Sequence, residues 1–519
     1  MNKLNPKLGL SKSLYTKGLQ CKKSLWLKKY KPEVLTPPDA LTQATFEEGD
    51  MVGDLACKLF PGGKEVTYKK GTTGNNEMIA QTQQLLGEGI KSIYEATFVY
   101  DDILVMVDIF HQKEDGSFEI YEVKSSTWGS GKSIADIEKY ILDASIQHYV
   151  LNGLGYKISD TYITMLNKDY VMGTKLDIKQ LFHSETITEQ VLDLQSQIPS
   201  TIESFREVLK DTENEPNINI GMHCKKSKKH YECNACEYCW KSQRAIPDYS
   251  VFNIFTTNSK SLQLYKEGII EVEDIPENSI STDTQRLYVD VWKHKKSFID
   301  KEKIKQFIDT ISYPIYYLDF ETLAPPVPEF IGASPRKRYP FQYSLHIEHE
   351  DGRLLEEKLL APPGKDPREK VAKRLTEDIP KNSCVVAYHM SVEKGVIKEL
   401  ADLYPVYAEH LMNLHSNFVD LRKPFQSRYY LSPEMKKLNG LKTVLPILAP
   451  EMRNAYKSLD MVHDGAEAMI LYKKLGEAMV EGSDLEKINQ YEQALYEYCR
   501  LDTLAMVKIL KKLKQIIQY

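Results

Sequence analysis

Four cysteines fall within sixteen residues, Cys224, Cys233, Cys236 and Cys239 in GMHCKKSKKHYECNACEYCW, and this cluster constrains the chain more than any other feature. Disulfides would need an oxidising compartment. The opening MNKLNPKLGLSKSLY has no apolar core followed by a small-residue cleavage site, so a reducing cytoplasm is expected. There, thiols this dense read as metal ligands, and four thiolates hold either a tetrahedral zinc or an iron–sulfur cluster. Spacing alone leaves both open. Cys57, Cys384 and Cys499 lie in apolar segments and read as buried thiols.

A chain of 519 residues exceeds what one hydrophobic core organises, so two to four domains are expected. Hydrophobic residues make up 42% and charged residues 27%, and no apolar run is long enough to span a bilayer, which predicts a soluble protein with no membrane partner. The net charge of −5 does not announce a nucleic-acid binder. Basic runs beginning at Lys22, Lys225 and Pro335 are compatible with one, although each alone reads as solvated surface.

The pattern predicts an α/β fold class. ILVMVDIF from Ile103 reads as a strand, QKEDGS as a turn and FEIYEVK from Phe118 as a second strand. A helix follows from about Asp136 to Leu154, then a strand from Thr161, giving β-β-α-β closed by the cysteine-rich segment. Residues 248–310 show polar, helix-compatible stretches without site chemistry and read as a helical connector between domains at 1–247 and 311–519. The second α/β domain is expected to begin with YPIYYLDF from Tyr313 and continue through FQYSLHIEHEDG. A buried strand CVVAY, an amphipathic helix SVEKGVIKELADLY and a last helix from about Leu485 to Ile517 follow.

Two sets of charged residues sit inside these apolar elements. Asp108 interrupts one strand, and Glu122 and Lys124 alternate on one face of the next. A carboxylate in a packed sheet is costly unless paired or bound to a metal. A structural ion pair accounts for the three, and so does a Mg²⁺ or Mn²⁺ site with a lysine that orients or deprotonates water. In the second domain Asp319 and Glu321 alternate at a strand end, while Tyr498 and Asp502 are one turn apart on the last helix.

The first set, with Gln147, His148 and Tyr149 on the following helix, resembles the PD-(D/E)xK nucleases of the RecB type, including the CRISPR-associated nucleases that carry an iron–sulfur cluster. The resemblance implies Asp108, Glu122 and Lys124 as the active-site D, E and K, Gln147 as the helix glutamine, and Glu95 of IYEATF as an upstream glutamate. That family often places a tyrosine four residues after the glutamine, where this chain has Leu151. The resemblance also implies that a distant cysteine joins the late group: Cys21, Cys224, Cys233 and Cys239 as ligands of a [4Fe-4S] cluster, with Cys236 as an alternative ligand.

The DxE strand with YxxxD on a late helix resembles the DEDD exonucleases of the RNase-H-like class, in the variant that carries a tyrosine. It implies that Asp319, Glu321 and Asp502 hold two divalent ions and that Tyr498 positions water. The family's middle motif NxxFD corresponds to HMSVE, placing His389 for the asparagine and Glu393 for the aspartate; Asp420 reads as structural. Over nearly its full length, through LQCKKSLWL, YEVKSS, YYLDFET, GLKTVLP and YCRLDTLAM, the chain resembles a bacterial family of unknown function that joins the two modules. The expected function is a metal-dependent nuclease acting on DNA, with RNA the alternative polymer. A nucleic-acid-binding scaffold with a degenerate second site is the competing reading.

Overall fold

The structure, a computed structural model, describes residues 9–68 and 74–518 and is mixed α/β. It comprises two compact units, Met1–Pro247 with Pro326–Arg336, and Asp248–Pro325 with Lys337–Tyr519. Among the described residues, no helix is long and apolar enough to cross a membrane.

The first unit is built on a seven-stranded sheet of β1 (Leu10–Ser11), β2 (Lys64–Glu65), β3 (Ser92–Tyr100), β4 (Ile103–Gln112), β5 (Phe118–Trp128), β6 (Ile158–Asn167) and β7 (Phe182–Thr186). The order is β2-β3-β4-β5-β6-β7, with β1 paired to β4. Asp101 and Asp102, both at positive φ, make the tight β3–β4 turn, which suits a two-residue hairpin. The parallel β5–β6 pair needs a crossover, and the helix Glu138–Gly153 supplies it. That helix is buried over much of its circumference, so its sequence lacks the one-sided apolar stripe of a surface helix.

One irregularity in this sheet places the site. The antiparallel β4–β5 ladder runs only from Gln112↔Phe118 to Ile109↔Tyr121, while the other end of the same β4 edge, Ile103 and Leu104, pairs in parallel with Leu10 and Ser11 of β1. The edge is open between those two pairings, at Asp108. Strand β1 leads directly into the helix Lys12–Gln20, capped by Ser11 Oγ accepting from Leu14 N–H at 3.2 Å.

Residues Pro326–Arg336 interrupt the sequence of the second unit and pack as a strap on the first. Met172 N–H donates to Ala333 C=O and Gly332 N–H donates to Met172 C=O at 2.9 and 2.7 Å. Arg336 donates to Glu48 at 2.6 Å and to Ser125 C=O, one residue past Lys124, at 3.3 Å.

The second unit holds a pairing of β8 (Phe298–Ile299) with β14 (Tyr430–Leu431). Its main sheet is formed by β9 (Ile315–Leu323), β10 (Tyr339–Glu348), β11 (Leu354–Leu360), β12 (Cys384–Ala387) and β13 (Phe418–Asp420), in the order β11-β10-β9-β12-β13. Strand β10 is antiparallel to β9 and β11, and β12 is parallel to β9 and β13. Residues 248–310 are part of this unit rather than a separate connector. Val251, Leu264, Val289 and Ile304 are buried, Asp300 N–H donates to Tyr429 C=O, and Lys437 Nζ donates to Asn253 C=O. Their apolar residues are sparse among polar ones, and only burial reveals them as core.

The long helix Leu485–Gln518 lies along the sheet, fixed in register by one face of β10. Gln342 donates to Leu495 C=O at 2.9 Å, and the Ser344 and His346 side chains reach Thr503 Oγ1 at 2.8 and 2.7 Å. These anchors bracket Tyr498, Cys499 and Asp502.

Candidate active sites and a cysteine centre

In the first unit, Glu122 is the hub. Its carboxylate accepts from Lys124 Nζ at 2.5 Å, from Gln147 Nε2 at 2.5 Å, and from Lys12 Nζ at 2.8 and 3.0 Å on its two oxygens. Asp108 faces it across the open edge, where its Oδ2 accepts the Val123 N–H at 2.6 Å, taking the place of the missing ladder carbonyl. Glu95, at φ +54, interrupts the β3–β4 ladder opposite Asp108, and Asp143 lies 3.5 Å from Lys124 Nζ. Lys12 and Asp143 join the set unannounced by sequence. Tyr149 does not join it: its hydroxyl donates to Asp101 and its ring packs on Tyr100.

The electrostatics follow from this geometry. Burial alone would raise Glu122, but Lys12 and Lys124 outweigh it and hold its pKa down at about 2. Burial and the Glu122 charge push Asp108 up to about 6, and burial with Asp108 pushes Glu95 up to about 7. Lys124 stays well above its ordinary value because Glu122, Asp143 and Asp108 overcome its desolvation. Gln147 Oε1 is buried with no hydrogen-bond partner among the described residues. This unpartnered buried acceptor forms with Glu122, Asp108, Glu95 and Asp143 a set of oxygen donors that suits a divalent cation.

In the second unit Asp319 and Glu321 project from β9 toward Asp502 on the long helix, and all three carboxylates act electrostatically on one another. Burial first, then Asp502, drives Asp319 and Glu321 well above the ordinary carboxylate range; burial takes Asp502 to about 6 against the opposing effects of Tyr456, Lys442 and Tyr498. Glu393, on the helix Ser391–Leu403, is 5% exposed and near enough to raise Asp319; its Oε2 has no hydrogen-bond partner among the described residues, and burial pushes its pKa to about 7. His389 is positioned by the Asp420 carboxylate, which accepts both His389 N–H and Arg422 N–H at 2.9 Å.

Tyr498 is buried and accepts from Lys442 Nζ at 3.1 Å, while Tyr456 donates to Asp502 at 2.5 Å. Neither Lys442 nor Tyr456 was singled out by sequence; GLKTVLP offered an unassigned lysine, and the segment around Tyr456 no pattern at all. Cys499, expected only as a buried thiol, also brings a ligand atom within 4.8 Å of those of Asp319 and Glu321.

The five cysteines Cys21, Cys224, Cys233, Cys236 and Cys239 line one cavity with His223, and none is in a disulfide. Cys236 hydrogen-bonds to both Cys224 and Cys233, which pulls Cys224 down to about 4 and Cys233 to about 6 while raising its own pKa. His223 rises to about 10 through Cys21 and Cys224. Thiolates sharing protons in a pocket form a donor set suited to a soft metal centre. Cys236 thus shares the cavity with the four cysteines expected from sequence.

No curated protein and no solved structure matches the chain. Residues 316–438 match the family model described as Domain of unknown function (DUF2779), a stretch that takes in Asp319, Glu321 and Glu393 and ends before Tyr498 and Asp502.

Proposed function

We propose that this protein is a divalent-metal-dependent nuclease with two hydrolytic centres, a PD-(D/E)xK-type site in the first unit and a DEDD-type site in the second. The observation that carries the reading is the convergence on Glu122 of Lys124 and Gln147, with Asp108 at the opened strand edge. A mere surface ion pair would need neither the broken ladder nor the unpartnered Gln147 oxygen.

Bound Mg²⁺ or Mn²⁺ would neutralise phosphate charge and make water easier to ionise. Asp108 and Glu122 would hold it in the first unit; Asp319, Glu321, Glu393 and Asp502 are the corresponding donors in the second. Lys124 enters as a cation, so it orients water and offsets charge on the phosphoryl oxygens rather than taking the first proton. Tyr498, held by Lys442, orients water in the second centre. The mixed sheet of the second unit is of the kind the RNase-H-like resemblance implies. The cysteine centre, with its converging thiolates, suits a [4Fe-4S] cluster, with structural Zn²⁺ the alternative.

The test is incubation of purified protein with end-labelled single- and double-stranded DNA and RNA, with Mn²⁺ or with EDTA. Mn²⁺-dependent cleavage lost in a Lys124→Ala, Asp319→Ala double variant is expected. Cleavage that survives EDTA or that double change would overturn the reading, as would no cleavage of any polymer by the wild-type protein.

A further inference from the structure

The helix Lys12–Gln20 has a functional group at each end. Lys12, its first residue, contacts both oxygens of Glu122, and Cys21, its C-cap, lines the cysteine cavity. The helix is fixed along its length. Cys21 N–H closes the last turn on Lys17 C=O, Lys17 Nζ holds Asn234 in the cysteine segment at 2.8 Å, and Gln20 Nε2 donates to the carbonyls of His223 and Tyr231 at 2.9 and 2.8 Å. Its other end continues directly into β1, which pairs with β4 over two residues only. A nine-residue helix is a stiff rod of about 14 Å, so a shift at Cys21 displaces Lys12.

We infer that Lys12 is a positioning residue of the first carboxylate site and that the cysteine centre sets its position, so occupancy of the two metal sites is coupled through this helix. The inference rests on reading both sites as metal-binding. Lys12 holds Glu122 in one rotamer by a two-oxygen contact and competes, as a cation, with a divalent ion for the same carboxylate. Removing it makes the site more negative and looser at once. Coupling of binding free energies is reciprocal, so an ion at Glu122 must also change retention of the metal at Cys21.

The test uses the full chain in an Asp319→Ala, Asp502→Ala background, which removes two donors of the second carboxylate set, with Mn²⁺ as probe and calorimetry as readout. Lys12→Ala is expected to change the Mn²⁺ affinity by about tenfold while leaving the visible absorbance or zinc content of the cysteine centre intact, and Lys12→Arg is expected to restore the wild-type affinity. Saturating Mn²⁺ should alter extraction of the cysteine-bound metal by a chelator in otherwise wild-type protein and not in Lys12→Ala, a comparison that needs no cysteine variant to fold. Unchanged Mn²⁺ affinity in Lys12→Ala, or extraction indifferent to Mn²⁺, overturns the inference alone. No Mn²⁺ binding in either protein, or no metal at the cysteines, overturns the metal-site reading and this inference with it.

Discussion

The two carboxylate sites solve one electrostatic problem in opposite ways. In the first unit, Glu95, Asp108, Glu122 and Asp143 are set against Lys12 and Lys124, and the central glutamate is held ionised by direct ammonium contacts. In the second, Asp319, Glu321 and Asp502 feel Lys442, which spends its contacts on the Tyr498 hydroxyl and the His463 carbonyl, and Glu393 feels Arg338; neither cation makes a direct ammonium or guanidinium contact with them among the described residues. The first site is partly compensated by its own lysines; the second keeps its carboxyls by retaining protons. An ion-free state is therefore tolerable for the first and costly for the second, and metal should matter more to the stability of the second unit.

The largest expected effect tests whether the sites are separate catalysts. In an Asp319→Ala background, Lys124→Ala or Asp108→Asn should lower the remaining cleavage rate by about 10²–10⁴-fold, measured on end-labelled DNA under single-turnover conditions. Conversely, end-trimming that persists in Lys124→Ala should disappear on adding Asp502→Ala. If the second change has no effect, the two-catalyst comparison collapses to one.

Next comes a difference in sign. Glu122→Ala leaves Lys12 and Lys124 without their shared partner and should destabilise the protein by about 3 kcal/mol. Asp319→Asn removes a repelled buried carboxyl and should stabilise metal-free protein by about 1 kcal/mol. Urea melts in EDTA decide; the same sign for both would erase the contrast.

The pH dependence sharpens it further. Asp319 and Glu321 have folded pKa values raised above their ordinary 3.8 and 4.5, so the native state binds more protons there than the unfolded chain and stability falls as pH rises through that window. Calorimetric melting in EDTA should therefore show a decline from pH 5 to pH 8 that Mn²⁺ flattens and Asp319→Asn reduces. Glu122 acts in the opposite direction: its lowered pKa contributes stability above its ordinary 4.5 that is lost as pH falls toward about 2. The smallest effect concerns Glu393→Asp, which keeps the charge and should change end-trimming by no more than about threefold if Glu393 is a ligand; a loss as large as that of Asp319→Ala would show that the longer side chain is required.

What was legible in the sequence follows from physics local to each segment. Asp108, Glu122, Asp319 and Glu321 stood out because charges in apolar strands conflict with burial, and Tyr498 and Asp502 because helical spacing puts them on one face. Lys12 was illegible because it reaches Glu122 only through the two-residue strand β1 wedged beside β4, and nothing in KLGLSKSLY reports that pairing. Lys442 lies on the short helix Leu441–Leu448 and Tyr456 in a turn-rich stretch, and both meet the site only where they pack on the long helix. The role of residues 248–310 was hidden likewise, because their burial depends on contacts with residues more than a hundred positions away, such as Tyr429 and Lys437.

The strap at Pro326–Arg336 also bears on the order in which the molecule can be made. Domains tend to fold as they leave the ribosome, at about 5–20 residues per second. The first unit cannot follow that schedule to completion at Pro247, because its last piece is encoded beyond β9 of the second. Its sheet, cysteine segment and helices would emerge and then wait on the order of ten seconds for Arg336 to arrive and close on Glu48 and the carbonyl beside Lys124. Synthesis itself thus delays completion of the first carboxylate site until part of the second has been translated, and a gene cut at residue 247 would yield a first unit held permanently at that unfinished stage.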